Sequence, residues 1–460
     1  MRQDLIAIID VGKTNAKLLV IEAETGLVTW CIEKRFGPLE RSPVRELDVA
    51  GIETWLLAGL ARAPDKLRIR TIVPVAHGAA AVWVSGNDVL VAPDYEDHVF
   101  DEVGDSYRAA RDPFELTFSP FLPRGLNLGR QLFFLSQKHP DLLRSCDAIL
   151  LYPQYWAWRL SGCRSSEVTS LGCHSDLWRP CQRQFSSLAV ARGFDKLLPS
   201  LRAAGDVLGP VTPAIAQVTG LDPACRVFCG IHDSNASYLC HRVSRASEEP
   251  FAVVSSGTWI VVMAHGTDLS RLRERDEMLA NVDALGTPVA TARFMGGREY
   301  EAIAGSTHRA LQPTVAALRS VLDRGAMALP PSGSANENIH LENVDGLDEV
   351  ERGALATLYC SLQTDRLLDL LGMAGRVIVD GPLSANPLYA ELLRAYRADA
   401  PVLRGDNRAG PAQCARYLCG DLPTVRLTKA TRLECAGLAD YRNEWRSRIL
   451  ATDGAQTAGP

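Results

Sequence analysis

The sequence predicts an α/β protein made of two large domains. Apolar strands, amphipathic helices and a strand that runs directly into a helix follow one another along the first half of the chain. A strand, a short polar turn and a second strand open the chain at residues 5–21, and the same plan returns at residues 251–263. The chain has 460 residues and is 47% hydrophobic, which suffices for two cores.

The repeated plan suggests a duplicated fold with a boundary near residue 247. We therefore expect one domain over residues 1–246, a second over residues 247–446, and a small, polar, disordered tail over residues 447–460. Hairpins with glycine and threonine in the turn are common, so the repetition alone leaves a chance similarity open.

Composition excludes several classes of function. The formal net charge is −5, and no basic stripe interleaves with aromatic residues, so no nucleic-acid partner is expected. No apolar run approaches a membrane span or a signal peptide, so we expect a cytoplasmic protein without a membrane partner. The 12 cysteines are scattered, so reduced thiols are expected. Cys225, Cys229 and His232 have a metal-like spacing but lack a second ligand pair, which disfavours a zinc site.

The first strand leads into the first candidate site. It ends at Asp10, and the polar turn Gly12-Lys13-Thr14-Asn15 precedes the second strand. Such a turn exposes backbone N–H groups and hydroxyls that suit phosphate oxygens, and Asp10 can hold magnesium, mainly through water. The tripeptide Gly-Lys-Thr is also part of the P-loop motif of nucleotide-binding proteins. However, the glycine required five residues earlier is an alanine, and a strand rather than a helix follows the threonine.

The next strands are interrupted in a similar way. Strand-like alternation over residues 68–92 is broken by His77-Gly78. Three helices follow, over residues 128–138, 154–160 and 213–219. Between the last two of them, Glu167 and Thr169 are most simply read as a turn with satisfied hydroxyls, with a ligand contact as the alternative.

A strand over residues 227–231 then runs into His232-Asp233 and a helix. Because the positive end of a helix dipole favours an ionised carboxylate, we expect Asp233 to be charged near neutral pH and able to accept a proton. A helix N-cap without chemistry is the alternative for Asp233.

The second half repeats the phosphate-type turn. Ser255-Ser256-Gly257-Thr258 separates two apolar strands and resembles the first turn in composition. A long helix over residues 351–373, a strand over 376–380, a loop from Gly381 to Pro387, and helices over 388–398 and 409–419 complete the pattern.

In their order along the chain, these motifs resemble the FGGY carbohydrate kinases of the actin/hexokinase-like ATPase superfamily. The resemblance covers about residues 5 to 445 and rests on the Asp10–Asn15 turn, the His77-Gly78 hairpin, residues 230–237, the Ser-Ser-Gly-Thr-Trp turn and residues 376–398. It implies two ribonuclease-H-like, actin-like ATPase domains around a central cleft. The N-terminal domain would bind the sugar, and the C-terminal domain would bind ATP.

The resemblance also implies roles for individual residues. Asp233 matches the catalytic base, which takes the proton from the attacking sugar hydroxyl, and Asp10 and Asp233 match the magnesium site. The nucleotide contacts would be Gly12, Lys13, Thr14, Asn15, Gly257, Thr258, Gly381, Ser384 and Asn386, the last three in the adenosine loop. The sugar contacts would be His77, Gly78, Asp94, His232 and Asp233.

The chain departs from the family pattern at several of these positions. Lys13 stands where many members carry a small residue, and it either adds charge at the phosphates or points to solvent. The adenosine loop lacks the usual run of glycines. Asp94 lies roughly where xylulose kinases carry a Trp-x-Asp element, which is absent. His232 either contacts the sugar or packs the junction that orients Asp233.

We therefore predict an Mg²⁺- and ATP-dependent kinase for the terminal hydroxyl of a ketose of five or six carbons. The His-Asp pair and the Ser-Ser-Gly-Thr-Trp turn point to the rhamnulose and fuculose kinase branch. One alternative is a sugar- or nucleotide-binding regulator without turnover, and another is an ATPase that acts on protein partners. The oligomeric state stays open, with a homodimer as one possibility.

Overall fold

The computed structural model describes residues 4–244, 249–305, 312–331, 339–405, 409–422 and 425–456. The strands are β1 Leu5–Val11, β2 Asn15–Glu22, β3 Val28–Arg35, β4 Ile69–Ala76, β5 Ala81–Ser85, β6 Asp88–Val91, β7 Ala148–Leu151, β8 Trp178–Arg179, β9 Gln184–Phe185, β10 Val207–Pro210, β11 Arg226–Phe228, β12 Ile231–His232, β13 Phe251–Ser256, β14 Ile260–His265, β15 Leu279–Val282, β16 Pro288–Phe294, β17 Met327–Leu329, β18 His340–Glu342, β19 Arg376–Asp380, β20 Val402–Arg404 and β21 Thr428–Lys429.

The helices are α1 Val49–Arg62, α2 Gly104–Ala110, α3 Phe114–Thr117, α4 Leu128–Lys138, α5 Pro140–Ser145, α6 Tyr152–Ser161, α7 Val168–Leu171, α8 Ser187–Ala191, α9 Phe194–Leu197, α10 Pro213–Thr219, α11 Asp233–Val243, α12 Gly296–Ala304, α13 Val315–Asp323, α14 Glu349–Leu370, α15 Pro387–Tyr396, α16 Ala409–Leu418 and α17 Leu438–Gln456. Among the helices of the described ranges, none combines the length and the apolar character needed to cross a membrane.

The first unit is built on a sheet of order β10-β11-β4-β1-β2-β3, with β12 also paired to β4. Strand β2 is antiparallel to both β1 and β3, whereas β4 runs parallel to β1, and β11 and β12 run parallel to β4. Side chains on one face of β1 pack with those of α1, α6 and α10, and side chains on the other face pack with those of α11 and α16. Because helices cover both faces, β1 is apolar almost throughout.

The second unit contains the strand order β14-β13-β19-β20-β21. Its hairpin β13–β14 is antiparallel, and β19 runs parallel to β13. The long helix α14 contacts α12, α13 and α15, and a capping box between Asp348 and Glu351 fixes its first turn. Both units thus place an antiparallel hairpin beside a parallel strand, and the predicted α/β class is confirmed.

The two units are not contiguous in sequence. The first comprises Met1–Ser247, Leu272–Thr291 and Arg408–Val425, and the remaining segments form the second. The predicted boundary at residues 246–247 lies outside the described residues. The uninterrupted second domain that we predicted is wrong, because Glu274 accepts hydrogen bonds from Arg111 (2.5 Å) and from the backbone N–H of Phe121 (2.9 Å) in the first unit.

The C-terminal segment also differs from the prediction. Helix α17 continues to Gln456, so the disordered tail predicted from residue 447 is wrong for residues 447–456, and residues 457–460 lie outside the described residues. Buried side chains anchor the helix: Trp445 is fully buried and donates its indole N–H to the carbonyl of Ala328 (2.8 Å), and Ile449 is buried one turn later.

Candidate active site

Polar groups of the first unit gather at the carboxyl ends of three neighbouring strands. Val11 of β1 and His232 of β12 both lie opposite Ala76 of β4. Asp10, the residue before Val11, and Asp233, the residue after His232, therefore lie at the same edge of the sheet. Strands β1 and β12 are about 10 Å apart, because β4 lies between them. Ligands of open α/β sheets bind at this edge, so the register supports a site here.

Asp233 is the first residue of α11, and His232 occupies the N-cap position. One carboxylate oxygen, Oδ1, accepts a hydrogen bond from the backbone N–H of Ser234 (2.6 Å) and lies 3.2 Å from His232 Nε2. The side chain is 38% exposed, so solvent reaches it. The N-cap alternative is wrong for this residue.

The charge state of Asp233 reflects two opposing effects. The helix dipole favours the ionised form, yet burial of the carboxyl raises its pKa to about 6. Burial outweighs the dipole, but the group still remains mainly ionised at pH 7. Asp233 can therefore accept a proton near neutral pH, and it does so more readily than an ordinary aspartate.

The pKa of Asp10 is raised more than that of Asp233. Burial and, secondly, the charge of Asp233 raise its pKa to about 7, while Lys17 acts in the opposite direction. Two neighbouring carboxylates of this kind are destabilised by each other's charge, and a divalent cation relieves that repulsion. The donor set of Asp10 and Asp233 thus fits magnesium, which prefers oxygen ligands.

The two phosphate-type turns use part of their hydrogen-bonding capacity internally. The N–H of Gly12 donates to the carbonyl of Asn15, and the N–H of Gly257 donates to that of Trp259, both at 2.9 Å. The donors that remain available in each turn include the hydroxyls of the exposed Thr14 and Thr258.

Lys13 forms an ion pair that the sequence did not predict. Its ammonium group forms an ion pair with Asp94, whose side chain is fully buried, and lies 4.9 Å from the ring centroid of Tyr95. The Lys13 side chain is only 20% exposed, so it does not simply point to solvent. Arg45 Nε lies 3.1 Å from the other oxygen of Asp94.

The His77-Gly78 pair and the His232-Asp233 pair are in contact. A Cβ on Gly78 would lie 2.8 Å from His232 Nε2, so glycine leaves the room that this imidazole occupies. His77 Nδ1 lies 2.8 Å from the Gly78 carbonyl, and its Nε2 is buried without a hydrogen-bond partner among the residues that the structure describes. Burial lowers the pKa of both imidazoles to about 4, so both are neutral at pH 7.

Glu167 and Thr169 support this junction, a role that the sequence analysis missed. The Thr169 hydroxyl donates to Glu167 Oε2 and accepts a hydrogen bond from the backbone N–H of His232 (3.1 Å). Glu167 is fully buried at the N-cap of α7, and burial raises its pKa to about 8. The capping pattern Glu-x-Thr was a usable signal, but the partner, His232, lies 63 residues away in sequence.

In the second unit, glycines bring three segments together. A Cβ on Gly297, at the start of α12, would lie 2.3 Å from the carbonyl oxygen of Gly257. Gly381 has φ +76°, and its Cβ would lie 2.2 Å from the carbonyl oxygen of Ser256. The hydroxyl of Ser256 donates to Asp380 O (2.7 Å) and accepts from Leu383 N (2.9 Å), so the loop after β19 is fastened to the end of β13.

The same loop buries two polar side chains. Asn386 donates to the Thr357 hydroxyl (3.0 Å). Asn386 Oδ1 and the Ser384 hydroxyl are buried without a hydrogen-bond partner within the described ranges. Buried polar atoms of this kind are usually satisfied by protein groups or by ordered water.

The comparisons with known proteins all identify carbohydrate kinases as similar to this chain. The sequence profile described as "Carbohydrate kinase FGGY, C-terminal domain" matches residues 248–426. A carbohydrate kinase of known structure from Novosphingobium aromaticivorans is 35% identical, with a TM-score of 0.85 over 98% of this chain and 99% of its own. A xylulose kinase from Lactobacillus acidophilus shares the fold, with a TM-score of 0.78 at 12% identity over 99% of this chain and 98% of its own.

Among curated proteins, an L-fuculokinase from Salmonella typhi is 24% identical over 278 residues. The match covers 57% of this chain and 57% of that protein, so it spans little more than half the length of the relative.

Proposed function

The chain belongs to the FGGY carbohydrate kinase family, and from that premise we propose that it transfers the terminal phosphate of ATP to a terminal hydroxyl of a ketose. Asp233 carries the proposal, because it is a solvent-accessible carboxylate whose pKa of about 6 suits proton transfer near neutral pH. In this proposal Asp233 accepts the proton of the sugar hydroxyl. Ser234 and His232, both on Oδ1, hold the carboxylate in position.

The remaining groups of the first unit support binding and charge balance. Asp10 and Asp233 would hold magnesium, which neutralises phosphate charge when bound. His77, Gly78 and His232 would contact the sugar, whereas Asp94, the other predicted contact, is fully buried and would support them from behind. His77 Nδ1 lies on the Gly78 carbonyl and so carries the proton of the neutral imidazole, which leaves Nε2 as an acceptor for a sugar hydroxyl. The ring nitrogens of His232 already lie against Asn235 and Asp233.

The second unit supports a nucleotide site. Gly257 and Thr258 are exposed at the β13–β14 turn, where they would contact phosphates. Gly381 holds the neighbouring loop against β13, and the unsatisfied oxygens of Ser384 and Asn386 would receive donors from the adenosine portion of ATP.

The substrate is proposed to be a ketose of five or six carbons, and a deoxyketose is favoured. The support is the His232-Asp233 pair, the Ser-Ser-Gly-Thr-Trp turn and the L-fuculokinase among the relatives. A panel of L-fuculose, L-rhamnulose, D-xylulose and glycerol in a coupled ADP-release assay tests this choice.

The deciding experiment compares Asp233→Asn with Asp141→Asn, a control at a side chain that is 86% exposed. Loss of the base should lower kcat by about 10²–10⁴-fold while the thermal midpoint stays unchanged. A full-rate Asp233→Asn enzyme would remove the proposed base. Stabilisation by sugar and nucleotide without any ADP release would instead identify a binding regulator without turnover.

A further inference from the structure

We infer that Lys13 acts on the sugar side of the site and not on the phosphates of the nucleotide, as a positioning residue that holds Asp94 and Tyr95 beside His77. This inference rests on the proposed function and adds a determinant of sugar binding to the same site. The position of Lys13 in a Gly-Lys-Thr turn suggests a phosphate ligand. The contacts of its ammonium group distinguish this role from one on the sugar side.

Those contacts pair the positive charge of Lys13 with acidic side chains. The ammonium pairs with Asp94 and lies 3.9 Å from Glu96 Oε2, and Arg45 reaches the same two acids at 3.1 Å and 3.8 Å. Two cations and two carboxylates make the cluster neutral. A neutral cluster adds little attraction for a polyanionic phosphate chain, whereas an unpaired lysine would add a full charge.

Asp94 depends on this arrangement. Its side chain is fully buried, and its Oδ1 accepts both the Lys13 ammonium and the backbone N–H of Glu96 (3.1 Å). A buried carboxylate is tolerated only when it is paired, so removing the lysine leaves Arg45 as the remaining cation. The segment from Asp94 to Glu96 is then expected to shift or to recruit water.

The cluster stands next to the predicted sugar contacts. Tyr95 lies under the Lys13 ammonium and packs edge-on against His77, with ring centroids 5.8 Å apart. The charges of Lys13 and Asp94 both act on the His77 imidazole, in opposite directions. Lys13 therefore joins the β1–β2 turn to the segment that supports His77, across 81 residues of sequence.

The test separates sugar affinity from nucleotide affinity. Lys13→Met removes the charge at nearly constant size, Lys13→Arg restores a cation, and Lys34→Met on β3 is a matched control at an exposed lysine. MgATP affinity is measured by calorimetry, and KM is measured for L-fuculose, L-rhamnulose and D-xylulose. We expect Lys13→Met to raise the sugar KM by about tenfold or more, to change the MgATP Kd less than about twofold, and to be rescued by Lys13→Arg.

A double mutant completes the test. Asp94→Asn should raise the same KM, and Lys13→Met/Asp94→Asn should be no worse than the more severe single variant, since both remove one interaction. The inference is overturned if the MgATP Kd weakens about tenfold while the sugar KM is unchanged, or if neither changes. If Lys13→Met does not fold, Lys13→Arg and Asp94→Asn provide the same comparison. Wild-type protein that binds MgATP but phosphorylates no sugar would refute the proposed function, and the MgATP Kd of the Lys13 variants would still decide the inference.

Discussion

The acid limb of the pH profile provides a direct test of Asp233. Burial raises the pKa of this carboxyl to about 6, and the ionised form is the one that accepts a proton. The ionised fraction is then about 0.9 at pH 7 and about 0.1 at pH 5, so kcat/KM for MgATP, which reports the site before magnesium binds, should fall by at least about tenfold between these values. An aspartate with an ordinary pKa would lose less than about a tenth of its activity over the same interval.

Asp10 makes the choice of kinetic parameter important. Its pKa of about 7 is raised partly by the charge of Asp233, so in the free enzyme the two acids titrate as a pair. Bound magnesium favours the ionised form of both Asp10 and Asp233, so kcat at saturating MgATP should change less with pH than kcat/KM for MgATP does. The fall in kcat/KM for MgATP should be steeper than a single group produces, because protonation of either acid weakens the site.

The measurement is a coupled ADP-release assay between pH 5 and 8 at constant ionic strength, with the sugar saturating and MgATP varied at every pH. Asp141→Asn serves as the control and should keep the wild-type profile, since its side chain is 86% exposed. A kcat/KM for MgATP that is flat from pH 7 to pH 5, in enzyme that stays folded, would contradict the role assigned to Asp233.

Three further predictions concern the supporting structure. Thr169→Val should lower kcat about tenfold or more, because it removes the hydroxyl that holds the His232 backbone, while Thr169→Ser should retain activity. Folding raises the pKa of Glu167 to about 8, so its contribution to stability is greatest at low pH and is lost as the pH rises. The Tm of Glu167→Gln should therefore rise relative to wild type between pH 5 and 8.5, and a constant difference would be inconsistent with this. Gly297→Ala should destabilise the protein by about 1–3 kcal/mol in urea unfolding and weaken MgATP binding, since its Cβ would lie 2.3 Å from a backbone oxygen. The matched variant Gly353→Ala, whose Cβ would find its nearest neighbours at 3.9 Å, should be neutral or slightly stabilising, and equal losses in both would contradict the packing argument.

Local patterns predicted the acids at strand ends, because a buried parallel strand is apolar until it reaches the edge of the sheet. Asp10 and Asp233 could therefore be selected from the sequence. Their register beside β4 could not, since strand order is set by contacts distant in the chain. The pKa of Asp233 was expected to reflect the helix dipole, and the dominant effect proved to be burial, which depends on packing that a sequence pattern does not show.

Long-range pairing explains the other differences. Lys13 had two local interpretations, and its actual partner lies in a segment that no helical or strand period links to it. The segment containing Glu274 joins the first unit through hydrogen bonds with Arg111 and Phe121. The repeated strand-turn-strand pattern in the sequence therefore did not mean that each domain is one continuous segment. Helix α17 was missed because its small, polar residues suggest disorder, whereas Trp445 and Ile449 supply the buried anchors.

The two phosphate-type turns resemble each other in composition but differ in charge. In the first unit, the turn lies beside Asp10 and Asp233, and Lys13 of the turn is already paired with Asp94. Phosphates without a bound cation would therefore be repelled by the net negative charge of these acids. In the second unit, Gly257 and Thr258 are exposed, and the guanidinium of Arg293 lies 4.5 Å from the ring centroid of Trp259 in the same turn. Nucleotide affinity should therefore depend mainly on the second unit, whereas phosphate transfer should need the cation that balances the acids of the first. On this reasoning, ATP without magnesium should still bind the protein but should be a very poor phosphate donor.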